Sequence, residues 1–360
     1  MIFIVQSKLP PYRVPFFLKC AEYFTIKVLF GEFENMHATK IKKYGDIFIQ
    51  VEKSIFFNQL NISKEISEFK PKVIIFEYSN FNLNLFQYLF SIRKFKLIIW
   101  GHCYNRKDKV GRRIFSRILK KIIAKMSDAV IAYSQGGKDF LELIGCRSEK
   151  IFVGWNAIEF KNKPISQSVI KKKFDSRRLV FIGRLIEEKR PNKACEIIES
   201  INRNCGGGYS LDIIGDGEMM PELKSKYGNC PYIRFHGSIT DEMQIETLML
   251  NSFALLNPGY LGLNIVHSLI NGLPIISVYD SVENVYHSPE YEYIQGAMCF
   301  VGISDGKISS YINAINKIAE DNIIYNKRVL DTQSVLDSIS IDKMISGFQK
   351  AIKYATDYEK

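Results

Sequence analysis

The chain has 360 residues, of which 46% are hydrophobic and 24% are charged, so it can bury ordinary globular cores and is long enough for two of them. This composition excludes a disordered protein. Seven scattered cysteines without a Cys-x-x-Cys pair argue against a disulfide framework or a zinc site and favour reduced thiols in a cytosolic protein.

The net charge of +11 is unevenly distributed along the chain. Residues 1–163 hold 28 Lys and Arg against 14 Asp and Glu, whereas residues 164–360 hold 21 against 24. The two halves are therefore expected to meet different partners. Nucleic acid, anionic lipid and an acidic substrate are all candidate partners of the basic half.

The first half contains a series of short apolar, β-branched runs separated by helical segments or loops. The first run follows Met1 without a charged segment before it, which predicts a β-strand and not a signal peptide. Such alternation predicts a mostly parallel sheet with helices on both faces. The predicted strands are Ile2–Val5, Ile26–Leu29, Ile47–Val51, Val73–Phe76, Leu97–Trp100 and Val130–Tyr133.

A basic amphipathic helix is predicted over Asn105–Met126, where Asp108 is the only acid. Its apolar residues recur at helical spacing and are expected to cover the sheet, which leaves the basic face for anionic lipid or for a phosphate-bearing, lipid-linked acceptor. The helix does not have to insert into the bilayer, and no apolar run approaches the ~18 residues of a membrane span. The cations expected to make these contacts include Arg112, Arg113 and Arg117.

A polar, basic stretch from Lys161 to Arg178 is the predicted linker between two α/β domains. The domains are expected at residues 1–165 and 166–335, with residues 336–360 forming a C-terminal helix that packs back on the first domain. The strands predicted for the second domain are Leu179–Ile182, Leu211–Ile214, Ile233–Phe235, Phe253–Leu256 and Ile275–Val278.

Two loops of the second domain have the composition of a phosphate site. Gly183, Arg184 and Lys189 follow a predicted strand, and a later strand is followed by the glycine loop Pro258–Leu263 and a helical segment. Ligands of open parallel sheets bind beyond the carboxyl ends of strands, where an Arg fork and a Lys point charge suit a diphosphate. Backbone amides at the N-terminus of the helical segment after the glycine loop also suit an anion. Alternatively, the glycines of this loop only form a tight turn between strand and helix.

Several motifs of the second half resemble those of family 4 glycosyltransferases, in order and spacing. The resemblance is good over about residues 180–303 and looser in the first half. Motifs in register across a whole domain are more specific than any one of them. They are Gly183-Arg184-(x)4-Lys189, Ile213-Ile214-Gly215-Asp216-Gly217 with Leu223, Phe235-His236-Gly237, and Pro258-(x)3-Gly262-Leu263-(x)8-Gly272-Leu273-Pro274.

The resemblance implies a retaining enzyme of the GT-B architecture, with two Rossmann-like parallel-sheet domains facing across a cleft. It also implies a nucleotide-sugar donor, UDP- or GDP-linked, in the second domain, and no cofactor. Arg184 and Lys189, beside Gly183, match positions that neutralise the donor diphosphate. The backbone of Gly259, Tyr260, Leu261, Gly262 and Leu263 matches positions that contact the phosphate and the sugar. His102, after strand Leu97–Trp100, matches a histidine near the reacting centre.

This sequence departs from the family at two acidic positions, where it has Gly259 and His267 instead of glutamates. His267 can still hydrogen-bond a ribose hydroxyl, but Gly259 offers no side chain to the sugar. This variant pattern resembles that of bacterial surface-polysaccharide members of the family, and so do the segments Tyr12–Phe17 and Pro289–Glu292. The first of these segments includes Arg13, which is expected on the acceptor or membrane side. No Asp-x-Asp occurs, so a metal-clamped diphosphate is not expected.

We expect a metal-independent glycosyltransferase that extends a lipid-linked glycan for O-antigen, capsule or exopolysaccharide at the inner face of the plasma membrane. A nucleotide-sugar epimerase of the same fold is an alternative, although such an enzyme usually needs carboxylates in the cleft as its acid and base. A non-catalytic protein that binds membrane or nucleic acid is another, but no basic-aromatic recognition motif supports nucleic acid as the partner.

Overall fold

The structure is a computed structural model that describes residues 1–33, 45–52, 60–78, 83–103, 110–157, 164–205 and 207–357. The chain divides into two compact units. Unit 1 comprises Met1–Glu159 and Ile339–Lys360, and unit 2 comprises Phe160–Ser338. Each unit contains one parallel sheet covered by helices, which confirms the predicted pair of Rossmann-like domains.

Unit 1 has a seven-stranded, all-parallel sheet with the strand order β3-β2-β1-β4-β5-β6-β7. Six of its strands coincide with the predicted apolar runs, and the three-residue edge strand β7 is additional. The strands are β1 (Ile2–Leu9), β2 (Ile26–Phe33), β3 (Phe48–Gln50), β4 (Val73–Glu77), β5 (Lys96–Gly101), β6 (Ala129–Ala132) and β7 (Ile151–Val153).

Helices cover both faces of this sheet. They are α1 (Val14–Ala21), α2 (Ser63–Phe69), α3 (Leu83–Leu89), α4 (Val110–Met126), α5 (Gln135–Leu143) and the C-terminal α13 (Ile341–Asp357). Helix α13 packs on β5, β6 and β7. Its Ile345, Phe348 and Ile352 side chains are buried, and Phe348 contacts Trp100 of β5.

Unit 2 has a six-stranded, all-parallel sheet with the order β10-β9-β8-β11-β12-β13. Only β13 lies outside the predicted strands. The strands are β8 (Arg178–Ile182), β9 (Ser210–Ile214), β10 (Ile233–Gly237), β11 (Ala254–Leu256), β12 (Ile275–Val278) and β13 (Phe300–Ile303). The helices are α6 (Gln167–Ser176), α7 (Pro191–Cys205), α8 (Met220–Tyr227), α9 (Glu242–Leu250), α10 (Asn264–Ile270), α11 (Ile308–Glu320) and α12 (Asn322–Asp337).

The predicted linker is partly a helix, because α6 lies within Lys161–Arg178. The Ser166 hydroxyl caps its N-terminus by accepting from the Val169 amide, and Ile170 packs into the core of unit 2. The Lys173 ammonium is buried and donates to the Met249 carbonyl at 2.9 Å, and its burial lowers the pKa to about 7. Lys173, which lies within the predicted linker, is therefore an internal residue of unit 2.

No helix in the described parts of the chain is long and apolar enough to cross a membrane. The same residues contain no group of three or more His, Cys, Asp or Glu side chains placed to hold a metal ion.

Candidate functional site

The first part of the candidate site is the turn between β8 and α7. Strand β8 is central in the sheet of unit 2 and ends at Ile182. Gly183 follows with a φ of +146°, which L-residues rarely adopt, and turns the chain so that Arg184 is exposed. A single helical turn, Glu187–Lys189, precedes α7. The two predicted cations therefore lie at the carboxyl end of one strand.

Lys189 is buried to 8% exposure, with its side chain packed along the backbone of Gly183. A Cβ on Gly183 would lie 3.1 Å from the Lys189 Nζ, so a larger residue would crowd the ammonium. The Nζ donates to the Tyr260 carbonyl at 3.4 Å. Burial, and then the positive charge of Arg184, lower the pKa of Lys189 to about 8. Two cations are thus held together, an arrangement that a bound anion would stabilise.

The glycine loop after β11 packs directly on this turn. The Tyr260 amide donates to the Glu188 carbonyl at 2.7 Å. A Cβ on Gly259 would lie 2.3 Å from that same carbonyl oxygen, so only glycine allows the two backbones this approach. The structure therefore brings together the two segments that the sequence singled out, 71 residues apart at Lys189 and Tyr260.

The amides of this loop, which are predicted to contact a phosphate and a sugar, donate to acceptors within the protein. The Gly259 amide donates to the Asn257 Oδ1 and the Tyr260 amide to Glu188, as above. The Leu261 amide donates to the His287 Nδ1 at 3.1 Å, and the Gly262 amide donates to the Asn264 Oδ1 at 2.8 Å. These four amides therefore have internal acceptors, the cations of the neighbouring turn supply the positive charge beside the loop, and the backbone contacts with phosphate and sugar stay a prediction.

His287 is not among the residues predicted from the sequence to line the site. Its Nε2 lies 2.9 Å from the Val278 carbonyl, which can only accept, so Nε2 carries the proton and Nδ1 accepts from Leu261. The Ser288 amide adds a bond to the Leu261 carbonyl at 3.0 Å. His287 is therefore a neutral imidazole that ties the glycine loop to the end of β12. Its position nine residues beyond Val278 gives no sequence signal of this contact.

His267 lies in α10, directly after the loop, and is half-buried. Burial lowers its pKa below the usual value, so at pH 7 the imidazole is neutral and has one donor and one acceptor nitrogen. Such a ring suits a hydroxyl as partner, and the ribose contact stays a prediction. Leu263 precedes this helix as its cap residue.

In unit 1, His102 follows β5 and is exposed at the carboxyl edge of the sheet. Its ring contacts the Tyr133 ring edge-on, with centroids 4.5 Å apart. Tyr133 itself follows β6 and is buried. The His102 ring therefore packs against an aromatic side chain that follows the neighbouring strand.

Arg13 is not a surface cation, because it is 6% exposed and has several internal contacts. Its Nη1 lies 2.8 Å from Glu77 Oε1, its Nη2 donates to the Tyr133 hydroxyl, and its guanidinium lies 4.6 Å from the centre of the Trp100 ring. Any contact of Arg13 with an acceptor or lipid would therefore involve this network. Glu77, which the sequence analysis did not select, ends β4 and has a side chain 28% exposed.

Arg117 is exposed on α4. Arg112 and Arg113 belong to the same helix, but their side chains lie outside the described residues. One apolar stripe is predicted on this helix, whereas its described side chains form two, since Ile123 is buried and Ile114 is 65% exposed.

Comparison with known proteins agrees with this architecture. No protein-family model matches the chain. The chain is 26% identical over 209 residues to the O-antigen biosynthesis glycosyltransferase WbnH of Escherichia coli, a match that covers 56% of this chain and 54% of WbnH. The chain thus spans about half the length of the curated relatives it matches.

Two solved structures match almost the whole chain. HepE of Anabaena, crystallised with UDP and glucose, has a TM-score of 0.70 at 15% identity and covers 98% of this chain and 99% of its own. The lipopolysaccharide glycosyltransferase WaaG has a TM-score of 0.67 at 13% identity and covers 99% of this chain and 100% of its own. The chain has the GT-B fold. At these identities the likeness shows the fold alone.

Proposed function

We propose that the protein is a retaining glycosyltransferase that moves a sugar from a UDP- or GDP-linked donor to a lipid-linked glycan in surface-polysaccharide synthesis. The observation that carries the proposal is the packing of the Arg184 and Lys189 turn against the glycine loop in unit 2. The O-antigen function named for WbnH and the UDP bound to HepE support it. The proposed location is the cytoplasmic face of the plasma membrane.

The proposed chemistry depends on where negative charge develops. As the bond between the sugar C1 and the diphosphate oxygen breaks, charge builds on the leaving nucleotide next to Arg184 and Lys189. Cations already held in place stabilise that charge without reorganisation, which is the role a divalent metal would otherwise have. The acceptor hydroxyl attacks C1 from the side of the leaving group and passes its proton to the departing phosphate oxygen, which retains the anomeric configuration.

A melting-temperature screen with UDP, GDP and their common sugar conjugates tests the donor site. We expect one nucleotide class to raise the melting temperature, because a ligand that binds only the folded state stabilises it. The conjugate with the largest shift is then incubated with a lipid-linked acceptor, and the product anomer is determined by NMR. An epimerised nucleotide sugar formed without acceptor would contradict the proposal in favour of an epimerase.

Lys189 makes donor binding dependent on pH. Its pKa of about 8 in the free protein means that it loses its charge as the pH rises through 8, while a bound diphosphate would raise that pKa. We therefore expect binding to take up almost no proton at pH 6.5 and close to one proton at pH 9, with affinity falling over the same interval. Calorimetry in buffers of different ionisation enthalpy measures this uptake, and Lys189→Met should abolish it.

Glu77 is proposed to contact the acceptor. Arg13 engages Glu77 Oε1, and the partly exposed carboxylate lies at the same edge of the unit 1 sheet as His102. A carboxylate oriented in this way accepts hydrogen bonds from sugar hydroxyls. We expect Glu77→Gln to raise the KM for the acceptor about tenfold while the donor KM stays unchanged. An equal rise in both values would contradict an acceptor contact.

A further inference from the structure

The outer surface of α4 carries an exposed aliphatic ridge. Ile114, Ile118 and Ile122 are 65%, 53% and 39% exposed, and they follow one another at intervals of four residues, so they lie on one face of the helix. The sheet is covered by a different stripe, since Ile123 and Ala124 are fully buried. We call Ile114, Ile118 and Ile122 the Ile ridge.

The charged residues of helix α4 all have one sign. Helix α4 contains six Lys and Arg residues and no acid between Val110 and Met126. Among the described side chains, Arg117 and Lys125 are exposed and Lys121 is half-buried. Leu143, which is 78% exposed, ends the neighbouring helix α5. The helix therefore combines exposed aliphatic side chains with a dense positive charge.

We propose that the Ile ridge inserts into the interfacial region of an anionic bilayer, while Arg117, Lys121 and Lys125 contact lipid phosphates. Branched aliphatic side chains lose contact with water at the boundary of the acyl chains, and the flanking cations are drawn to the negative surface. This makes the membrane contact part hydrophobic, where the sequence analysis expected only the cations to touch the lipid.

The chemistry of the surface favours a bilayer over the other candidate partners. A second copy of the chain would place one acid-free basic helix against another, and their like charges would repel. The cores of protein interfaces are generally depleted of Lys. Single-stranded nucleic acid is held by aromatic side chains that stack on bases, and isoleucine offers no such face. An anionic bilayer alone matches both the charge and the aliphatic side chains.

Co-sedimentation with vesicles of phosphatidylglycerol and phosphatidylcholine tests the proposal on the full chain. We expect Ile114→Ser with Ile118→Ser to weaken binding at least about tenfold, since each change removes a large apolar side chain from the interface. Ile323→Ser is the matched control, because Ile323 is 70% exposed on α12 of unit 2. It is expected to bind as the wild type does. Equal binding by the double variant, or an equal loss in the control, would overturn the proposal.

Insertion is measured directly with tryptophan in place of one ridge residue. Fluorescence of Ile118→Trp is expected to be quenched by lipids brominated along the acyl chain, and that of Ile323→Trp to be unaffected. Vesicle binding without any such quenching would mean that the cations alone hold the protein to the lipid. Wild-type chains that dimerise in solution, with monomers restored by the double serine variant, would assign the ridge to a second copy. Either result would contradict insertion.

This inference extends the membrane partner of the proposed function, but its test is independent of sugar transfer. Vesicle binding is measured without nucleotide or acceptor, so its failure would leave the transferase proposal standing. Conversely, a protein that bound vesicles through the Ile ridge but no nucleotide would retain this inference and lose the proposed activity.

Discussion

Replacing Arg184 and Lys189 together by alanine is expected to lower sugar transfer about a thousandfold or more while the protein stays folded. The two side chains carry the free positive charge beside the glycine loop, whose amides from Gly259 to Gly262 donate to internal acceptors. Removing one preorganised group that stabilises developing negative charge typically costs about a hundredfold to a thousandfold in rate. Steady-state kinetics with a saturating acceptor measures the loss.

The matched control removes two cations of unit 2 that have no place in the site. Lys171 and Arg203 are exposed and pair with Asp175 and Glu199 on their own helices. The double variant Lys171→Ala with Arg203→Ala should transfer sugar at the wild-type rate, because exposed pairs of this kind contribute little. The melting temperature of the Arg184→Ala, Lys189→Ala protein shows whether it stays folded. Full activity without Arg184 and Lys189 would refute the assignment of the site.

Placing at position 259 the glutamate that the family resemblance would lead us to expect should inactivate this protein. The Cβ of any larger residue at Gly259 would lie 2.3 Å from the Glu188 carbonyl oxygen and 2.7 Å from the Lys189 Cα. The glycine loop and the Lys189 turn would have to separate, and such overpacking costs about 1–3 kcal/mol. We expect Gly259→Glu to lower the melting temperature by about 3–10 °C. Transfer should fall at least about a hundredfold, because Lys189 would move.

Gly262→Ala separates the steric effect at position 259 from a general sensitivity of the loop. A Cβ there would keep 3.4 Å from the Tyr260 ring, its nearest neighbour, so the melting temperature should stay close to that of the wild type. A Gly259→Glu protein as stable as the wild type and more active would show that the two segments are not locked together. It would then support the family pattern of acidic residues over the packing described here.

The sequence predicted the elements that depend on local composition. Of the thirteen strands in the described residues, eleven coincide with predicted apolar runs, and β7 and β13 were not predicted. The cations Arg184 and Lys189 were found because they directly follow a strand whose carboxyl end is a binding edge in any parallel sheet.

Contacts between distant residues could not be predicted. Arg13 pairs with Glu77 and Tyr133, which only the strand order β1-β4-β5-β6 brings together. His287 reaches the glycine loop through a bond between residues 26 positions apart. The two stripes of α4 were merged into one, because helical periodicity shows that isoleucines recur but not which of them face the sheet.

We expect unit 2 to hold a diphosphate between Arg184, Lys189 and the glycine loop. Calorimetric titration with UDP and UMP, or with GDP and GMP if the melting screen selects guanine, measures this in one comparison. We expect the diphosphate to bind at least about tenfold more tightly than the monophosphate, and the Arg184→Ala, Lys189→Ala protein to lose that difference. Equal affinity for the two nucleotides, or a difference that survives in the double variant, would contradict the account.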